Sequence, residues 1–334
     1  MKALSFRSLP LLVALFFLSL FPLAAQSEAI RLVEKTYPVG DFTAVEISDA
    51  FDVTLSRGSG SVKVTVDEPL SGYVDVYVRS KTLYVVYNEK SVSKDIKKMY
   101  KGSKAPKPVF RVDVSLSRLT GISLSDKASL ICVDEFNAAD KLEVKVTDKA
   151  QIKGLSAEAT SIKVNLRKNA VASLNLRSLD ARGHIEVSTD DNAKLKLTAD
   201  VYETTVAAAG SSELTLNGEC SLLTLNSLGK SRLVVTERAL TTTCTFGGSS
   251  DIALSGSSDE LNVKADGRAE LDAGSFTVKR VKTVMTGGKA TVSVSDDLDI
   301  DLSGGSTLVF SGSPAMRIVK IEKSTLLPRS ASIK

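Results

Sequence analysis

Gly229-Lys230-Ser231-Arg232-Leu233, Gly248-Ser249-Ser250-Asp251-Ile252 and Gly267-Arg268-Ala269-Glu270-Leu271 are one five-residue phrase repeated at intervals of 19 residues. Following the small residue at its centre in both directions gives Ala128, Ala150, Ala170, Ala193, Ser212, Ser231, Ser250, Ala269, Ala290 and Thr307. Four steps, from Ala193 to Ala269, are 19 residues each, and the others are 22, 20, 23, 21 and 17. The mean, about 20, is the period of a solenoid coil.

Two places after each small residue stand Leu130, Ile152, Ala172, Leu195, Leu214, Leu233, Ile252, Leu271, Val292 and Val309. Six places before it stand Ile122, Val144, Val164, Val187, Val206, Leu225, Cys244, Val263 and Val284, a second apolar column. Polar residues such as Lys194, Lys196, Glu213, Thr215, Glu270 and Asp272 alternate with the first column, the period-two pattern of strands with one buried face. Two places before the small residue come Asp126, Asp148, Lys168, Asp191, Gly210, Gly229, Gly248, Gly267, Gly288 and Gly305. Gly, and more reluctantly Asp, accept left-handed backbone, so this column predicts a sharp turn between two strands of every coil. Lys168 breaks the rule, and Asn169 beside it suggests a one-residue shift. Stacked coils bury each other's apolar columns, so the reading is an all-β parallel β-helix of about ten coils over 117–315.

The 334 residues are 43% hydrophobic and 5% aromatic, with no Trp, a β-rich globular profile. Residues 1–25 stand apart: Lys2 and Arg7 precede an apolar run from Leu9 to Leu23, with Ala24-Ala25 as a cleavage site, which reads as a signal peptide. The expectation is an exported chain, in the periplasm, on the outer cell surface or secreted, with no transmembrane span after cleavage. Without Lys2 and Arg7 the charges nearly balance, so no nucleic-acid partner is expected. Cys132, Cys220 and Cys244 are too few for a disulfide framework. Cys132 and Cys244 fall in apolar rows and read as buried thiols, while Cys220 falls at a corner.

Residues 26–116 read as alternating strands with a hairpin turn at Arg79-Ser80-Lys81-Thr82, forming an N-terminal cap over the open end of the solenoid. Lys90 to Lys107 interrupts them as a Lys-rich surface loop. Residues 316–334, short and basic, read as a closing segment.

Phe42-Thr43-Ala44-Val45-Glu46-Ile47-Ser48-Asp49-Ala50-Phe51-Asp52-Val53-Thr54-Leu55, then Val62-Lys63-Val64-Thr65-Val66 and Lys81-Thr82-Leu83-Tyr84-Val85, resemble the opening of the bacterial GIN domain family of auto-transporter adhesin heads. The likeness continues through Leu119-Thr120-Gly121-Ile122-Ser123-Leu124-Ser125-Asp126-Lys127-Ala128-Ser129-Leu130 and the later turns. It implies a right-handed parallel β-helix exported by Bacteroides-like bacteria, and a name that suggests adhesion. It brings no catalytic motif, and the Lys-rich loop is longer than the family pattern.

His184 is the only histidine, so any triad or zinc site would have to be built on it, and a surface residue after Gly183 is the simpler reading. Asp126, Asp148 and Asp191 would line one edge, as the carboxylates of a β-helical lyase do. Their column continues as Gly, however, which is what a backbone requirement predicts and an acid/base or calcium site does not. Asp266 and Asp272 read as solvated turn and strand residues. No catalytic residue, metal site or cofactor is expected. The candidate binding residues are Lys94, Lys97, Lys98, Lys101 and Tyr100 of the basic loop, with Tyr73, Tyr77 and Tyr84 of the cap strands. The function expected is a non-enzymatic envelope or surface module meeting a surface glycan, host matrix or envelope component, with self-association at an open end as a further possibility. The alternatives are a polysaccharide-active β-helix enzyme and a structural assembly protein of the envelope.

Overall fold

The structure, a computed structural model, describes residues 30–178 and 180–329, without the side chains of Ala138 and Ala139. The expected signal peptide and the last five residues lie outside the described residues. Every element belongs to the compact unit Leu32–Lys334.

The chain opens with β1 (Leu32–Tyr37), β2 (Ala44–Ile47), β3 (Asp52–Arg57), β4 (Ser61–Asp67), β5 (Val74–Arg79), β6 (Thr82–Tyr87) and β7 (Phe110–Leu116). A regular climb follows: β8 (Gly121–Leu124), β9 (Ser129–Cys132), β10 (Phe136–Val146), β11 (Gln151–Leu166), β12 (Val171–Arg177), β13 (His184–Thr189), β14 (Lys194–Asp200), β15 (Glu203–Ala208), β16 (Glu213–Glu219) and β17 (Leu222–Ser227). The long strands β18 (Arg232–Phe246), β19 (Asp251–Ala265), β20 (Glu270–Met285) and β21 (Lys289–Leu302) each serve two coils, before β22 (Thr307–Ser311), β23 (Ala315–Ile321) and β24 (Thr325–Pro328) finish the stack. The result is a parallel β-solenoid of about 11 turns.

Each coil gives one strand before the turn and one after it, making two rows of parallel strands. Ile122 pairs with Val144, and the ladder continues through Val164, Val187, Val206, Leu225, Cys244 and Val263. In the other row Leu130, Ile152, Ala172, Leu195, Leu214, Leu233, Ile252 and Leu271 are successive partners. All sixteen are buried, so both columns read from the sequence face the core there. Burying each large aliphatic side chain contributes roughly 1.5–3 kcal/mol, and no coil could collect this alone.

All ten residues of the turn column take positive φ, from 57° at Asp126 to 83° at Gly305. Lys168 does so itself, at 62°, so the expected shift onto Asn169 does not occur. Asp49 (65°) and Lys323 (49°) extend the column at both ends. The turns are stitched by their own backbone: Lys230 N–H donates to Gly210 O (2.7 Å), Ser249 N–H to Gly229 O (2.7 Å) and Arg268 N–H to Gly248 O (2.8 Å).

The sequence frame slips near the end. Leu271 pairs with Ala290 and Ala290 with Leu308, so the small positions of the last coils are Gly288 and Ser306, not Ala290 and Thr307, and the turn positions two places before them are Thr286 and Gly304, not Gly288 and Gly305. Val263 pairs with Thr283, which is buried, while Val284 is 38% exposed, so Thr283 and not Val284 belongs to the apolar column. Val309 likewise faces outward beside buried Leu308. The cause is local: β20 breaks register against both neighbours, and the turn after it has three residues where its predecessors have four. Thr283 tolerates its place by donating its hydroxyl to Asp299 O (3.0 Å).

The parallel stack reaches further toward the N-terminus than the repeat column does. β2 pairs with both β8 and β6, and β3 with both β9 and β7, all parallel. Strands β6 and β7 therefore form a coil beneath β2 and β3 although they follow them in sequence. Antiparallel strands cover this end: β5 on β6, β4 on β7 and β1 on β4. The hairpin expected at Arg79–Thr82 joins β5 to β6, with Ser80 and Lys81 both at positive φ. Phe51, Phe110 and Tyr87 fill the end of the core, with Phe110 5.2 Å from Phe51 and 4.6 Å from Tyr87.

At the far end β23 and β24 continue the parallel pairing on β21 and β22. Met316, Ile318, Val319 and Ile321 on β23 and Leu327 on β24 are exposed.

Candidate functional site

On the outer face of the second row a groove of about 630 Å³ crosses five coils, over β11, β12, β14, β16 and β18. Its side chains come in outward pairs, one pair per coil: Gln151 and Lys153, Val171 and Ser173, Lys194 and Lys196, Glu213 and Thr215, Arg232 and Val234. Strand alternation explains why they point out, since Ile152, Ala172, Leu195, Leu214 and Leu233 between them are core. Four bases face one acid. Glu213 accepts from the Lys194 ammonium (2.9 Å), and Arg232 lies 3.8 Å from Asp251 in the next coil. Lys153 and Lys196 are exposed and have no ion pair among the described residues. Val171 and Val234, each 39% exposed, give the groove apolar surface.

Lys153 sits in a β-bulge. Ile152 pairs with Ala172 and Leu155 with Leu174, so Lys153 and Gly154 together oppose Ser173. Bulges re-aim side chains, often beside binding sites.

The candidate residues of the N-terminal region fall in two places. The segment expected as a loop contains a short helix, α1 (Lys94–Met99), between β6 and β7, where other coils have their turn. Ser93 caps it by accepting from Ile96 N–H (3.3 Å), Asp95 lies in the first turn and Lys97 and Lys98 in the last, as the helix dipole favours. Val92, Ile96 and Tyr100, at helical spacing, pack against the core, which is why the segment is structured rather than a bare loop. Lys94, Lys97, Lys98 and Lys101 are exposed, and Lys98 pairs with Asp95 (3.1 Å). Tyr100 is half-buried; burial and the Asp67 carboxylate push its phenol well above the usual range.

Tyr77 and Tyr84 face each other across β5 and β6, stacked at 5.0 Å, with Tyr77 46% exposed. Tyr73 ends a 3₁₀ turn (Glu68–Tyr73) and packs against the core. Among the described residues no hydrogen bond, ion pair or ring contact joins the tyrosine pair to the lysines of α1.

The turn aspartates are engaged structurally. Asp126 accepts from Asp49 N–H (3.3 Å) and Asp191 from Lys168 N–H (3.2 Å), each bracing the turn of the neighbouring coil. Asp148 accepts from Thr147 Oγ1 (2.7 Å) and pairs with Lys168, whose ammonium holds its carboxyl below the usual range. Asp272 accepts from Gly274 N–H (3.0 Å). Exposed His184 shares a 3.0 Å hydrogen bond between Nε2 and Ser161 Oγ on the open face of the first row. Glu203 is its partner in the next coil, but among the described residues no hydrogen bond orients the imidazole from that side. A triad needs that orienting bond.

Among the described residues two carboxylates are buried: Asp67, which accepts from Val109 N–H (3.3 Å), and Glu237. Glu237 stands in an inward column, between Ala199 and Gly218 on one side and Gly256 and Phe276 on the other. It is 1% exposed, and neither carboxyl oxygen has a hydrogen-bond partner. Burial, reinforced by Asp200 and Glu219, pushes it up to about 8. Burial and Glu237 raise the nearby Cys220 thiol to about 12, and burial raises Cys132 to about 11. Cys244 is fully buried and Cys132 half-buried, and all three cysteines are free thiols. Among the described residues no group of three or more His, Cys, Asp or Glu is placed to hold a metal ion. No described helix is long and apolar enough to cross a membrane.

The family described as "Putative auto-transporter adhesin, head GIN domain" matches residues 41–177 and 224–314, spanning the N-terminal coils, much of the groove and the upper stack. The chain belongs to the GIN domain family. Among solved structures, this GIN domain protein is similar to a putative adhesin from Parabacteroides distasonis, at 17% identity over 90% of this chain and 97% of that one, with a TM-score of 0.37. A putative adhesin from Parabacteroides merdae is 19% identical over the same shares, with a TM-score of 0.36. A putative lipid binding protein from Parabacteroides distasonis is 12% identical, covering 90% and 97% of the two chains, with a TM-score of 0.33. Comparison with curated proteins gives no match.

Sequence reasoning overlooked the groove, because its bases lie far apart in the chain and each reads locally as a solvated strand residue. Glu237 was detectable: it follows buried Leu233 and Val235 at the same alternation.

Proposed function

We propose that this GIN domain protein is an exported, non-enzymatic binding module of the cell envelope or surface, adhesin-like in role. Its ligand is a surface glycan, host-matrix or envelope component. The observation that carries the reading is the five-coil groove, with free Lys153 and Lys196 above a rigid sheet and exposed Val171 and Val234 between them. A stack of hydrogen-bonded coils holds such groups at fixed spacing, so little ordering cost is left when an extended ligand is bound. Family membership supports the adhesin character. The test is binding of the purified protein to glycan and host-matrix arrays. Signal above background is expected, and uniformly blank arrays would sink the proposal.

A further inference from the structure

Resting on that reading, we infer that the groove takes a linear acidic polysaccharide carrying a carboxylate on alternate sugars. Cations recur along it at every second coil: Lys153 on β11, Lys194 and Lys196 on β14, Arg232 on β18. The coils between offer Val171 with Ser173, and Glu213 with Thr215. Parallel strands stack about 4.8 Å apart, so the positive positions lie about 10 Å apart along the stack. A sugar unit in an extended chain is comparable in length to one strand spacing. A polymer charged on every second unit therefore meets a base at each charge and places its uncharged units over the intervening coils.

The coils between suit such units. Val171 offers apolar surface to the C–H face of a sugar, and the Ser173 and Thr215 hydroxyls can donate to or accept from its hydroxyls. The Glu213 carboxylate opposes a charge placed there, which disfavours a polymer ionised on every unit. The groove is also bounded by charge. Directly beyond Arg232 the same outer column continues as Asp251, which faces Arg232 at 3.8 Å, and Glu270, which pairs with Lys289 (2.7 Å), so the run of available cations ends there and the register of a polyanion is limited. No aromatic side chain lines the groove, so nucleic-acid bases find nothing to stack on. Its exposed apolar side chains are two valines, Val171 and Val234, set among four bases, and not the large apolar face that holds a protein on a bilayer.

The experiment measures affinity of the full chain by titration calorimetry for hyaluronate oligosaccharides, which carry one carboxylate per disaccharide. Oligogalacturonate (one per sugar), neutral dextran, single-stranded DNA and phosphatidylglycerol vesicles are run beside them. The expected result is that hyaluronate binds best, that rising salt weakens it, and that the double variant Lys153→Glu, Lys196→Glu loses at least about tenfold in affinity. Lys264→Glu, at an exposed position on β19 outside the groove, leaves affinity unchanged. Both variants change exposed residues, and unchanged thermal unfolding confirms that they are folded. Hyaluronate affinity indifferent to the double variant overturns the inference, as does oligogalacturonate, DNA or vesicle binding equal to that of hyaluronate. If arrays give hits that the double variant does not weaken, the inference fails while the adhesin-like reading stands. Blank arrays remove both.

Discussion

The Lys168 ammonium pairs with the Asp148 carboxylate of the neighbouring coil while the Lys168 backbone sits at φ 62°, in a column that is Asp or Gly in each of the other coils from Asp126 to Gly267. A left-handed L-residue costs about 1–2 kcal/mol. An exposed ion pair returns about 0–1 kcal/mol, and a glycine would add unfolded-state entropy. These terms nearly cancel, so Lys168→Gly should change stability by less than about 1 kcal/mol. Lys168→Val, which keeps neither the pair nor a tolerated conformation, should cost about 2 kcal/mol. Urea unfolding midpoints of the two variants would separate the cases; equal losses would show that φ does not govern the column.

Gly248→Ala is expected to be worse than Gly305→Ala. Both residues have positive φ, at 71° and 83°. A methyl on Gly248 would stand 2.9 Å from Gly229 O and 3.1 Å from Gly229 N, backbone atoms already fixed by the ladder, whereas nothing lies within 4 Å of one on Gly305. Gly305→Ala should cost only the backbone term of about 1–2 kcal/mol, and Gly248→Ala at least about 1 kcal/mol more. Thermal unfolding of the pair is the check, and reversed order would contradict the stacking geometry.

Glu237 predicts an alkaline weakness. Its folded value of about 8 lies above its ordinary 4.5, so the folded state holds a proton that the unfolded chain releases. The associated stability is fully present below pH 4.5, declines as pH rises and is lost above pH 8. Linkage sets its size at roughly 3–5 kcal/mol. Glu237→Gln cannot ionise, so its unfolding free energy should lack this decline between pH 5 and pH 8. The amide remains buried without partners, which costs about 1–3 kcal/mol at every pH. Parallel pH profiles for variant and wild type would refute the assignment.

The regular middle of the stack was legible because its side-chain columns and backbone turns obey the same register. Legibility failed where the two parted. At Ala290 a small residue stands in the position of Leu271, because β20 is irregular and its following turn is short. The coil of β6 and β7 was hidden because it lies beneath β2 and β3, which precede it in the chain. The helix Lys94–Met99 was signalled by Ser93 and by the spacing of Val92, Ile96 and Tyr100, but the density of lysines drew the reading toward a loop. The groove needed three dimensions: Lys153 and Arg232 come to one face only after the coils between them have stacked.

Ser231 tests whether the small-residue column is set by volume or by hydrogen bonding. Its buried hydroxyl bonds to Leu228 O (2.9 Å) and Ser227 Oγ (2.8 Å), and reaches Ala208 O of the coil below at 3.3 Å. Ala occupies the same place at Ala193 and Ala269, fully buried, so the site accepts a methyl group without a hydroxyl. Ser231→Ala should therefore cost only about 1 kcal/mol, mainly by leaving Ser227 Oγ without its partner. Ser231→Val replaces the hydroxyl with a methyl and adds a second methyl where neighbouring coils are in contact, and should cost about 2–3 kcal/mol through overpacking and the lost hydrogen bonds. Guanidinium unfolding of both variants decides: an alanine variant as damaged as the valine one would mean that the hydroxyl ladder, rather than the space between coils, fixes this column.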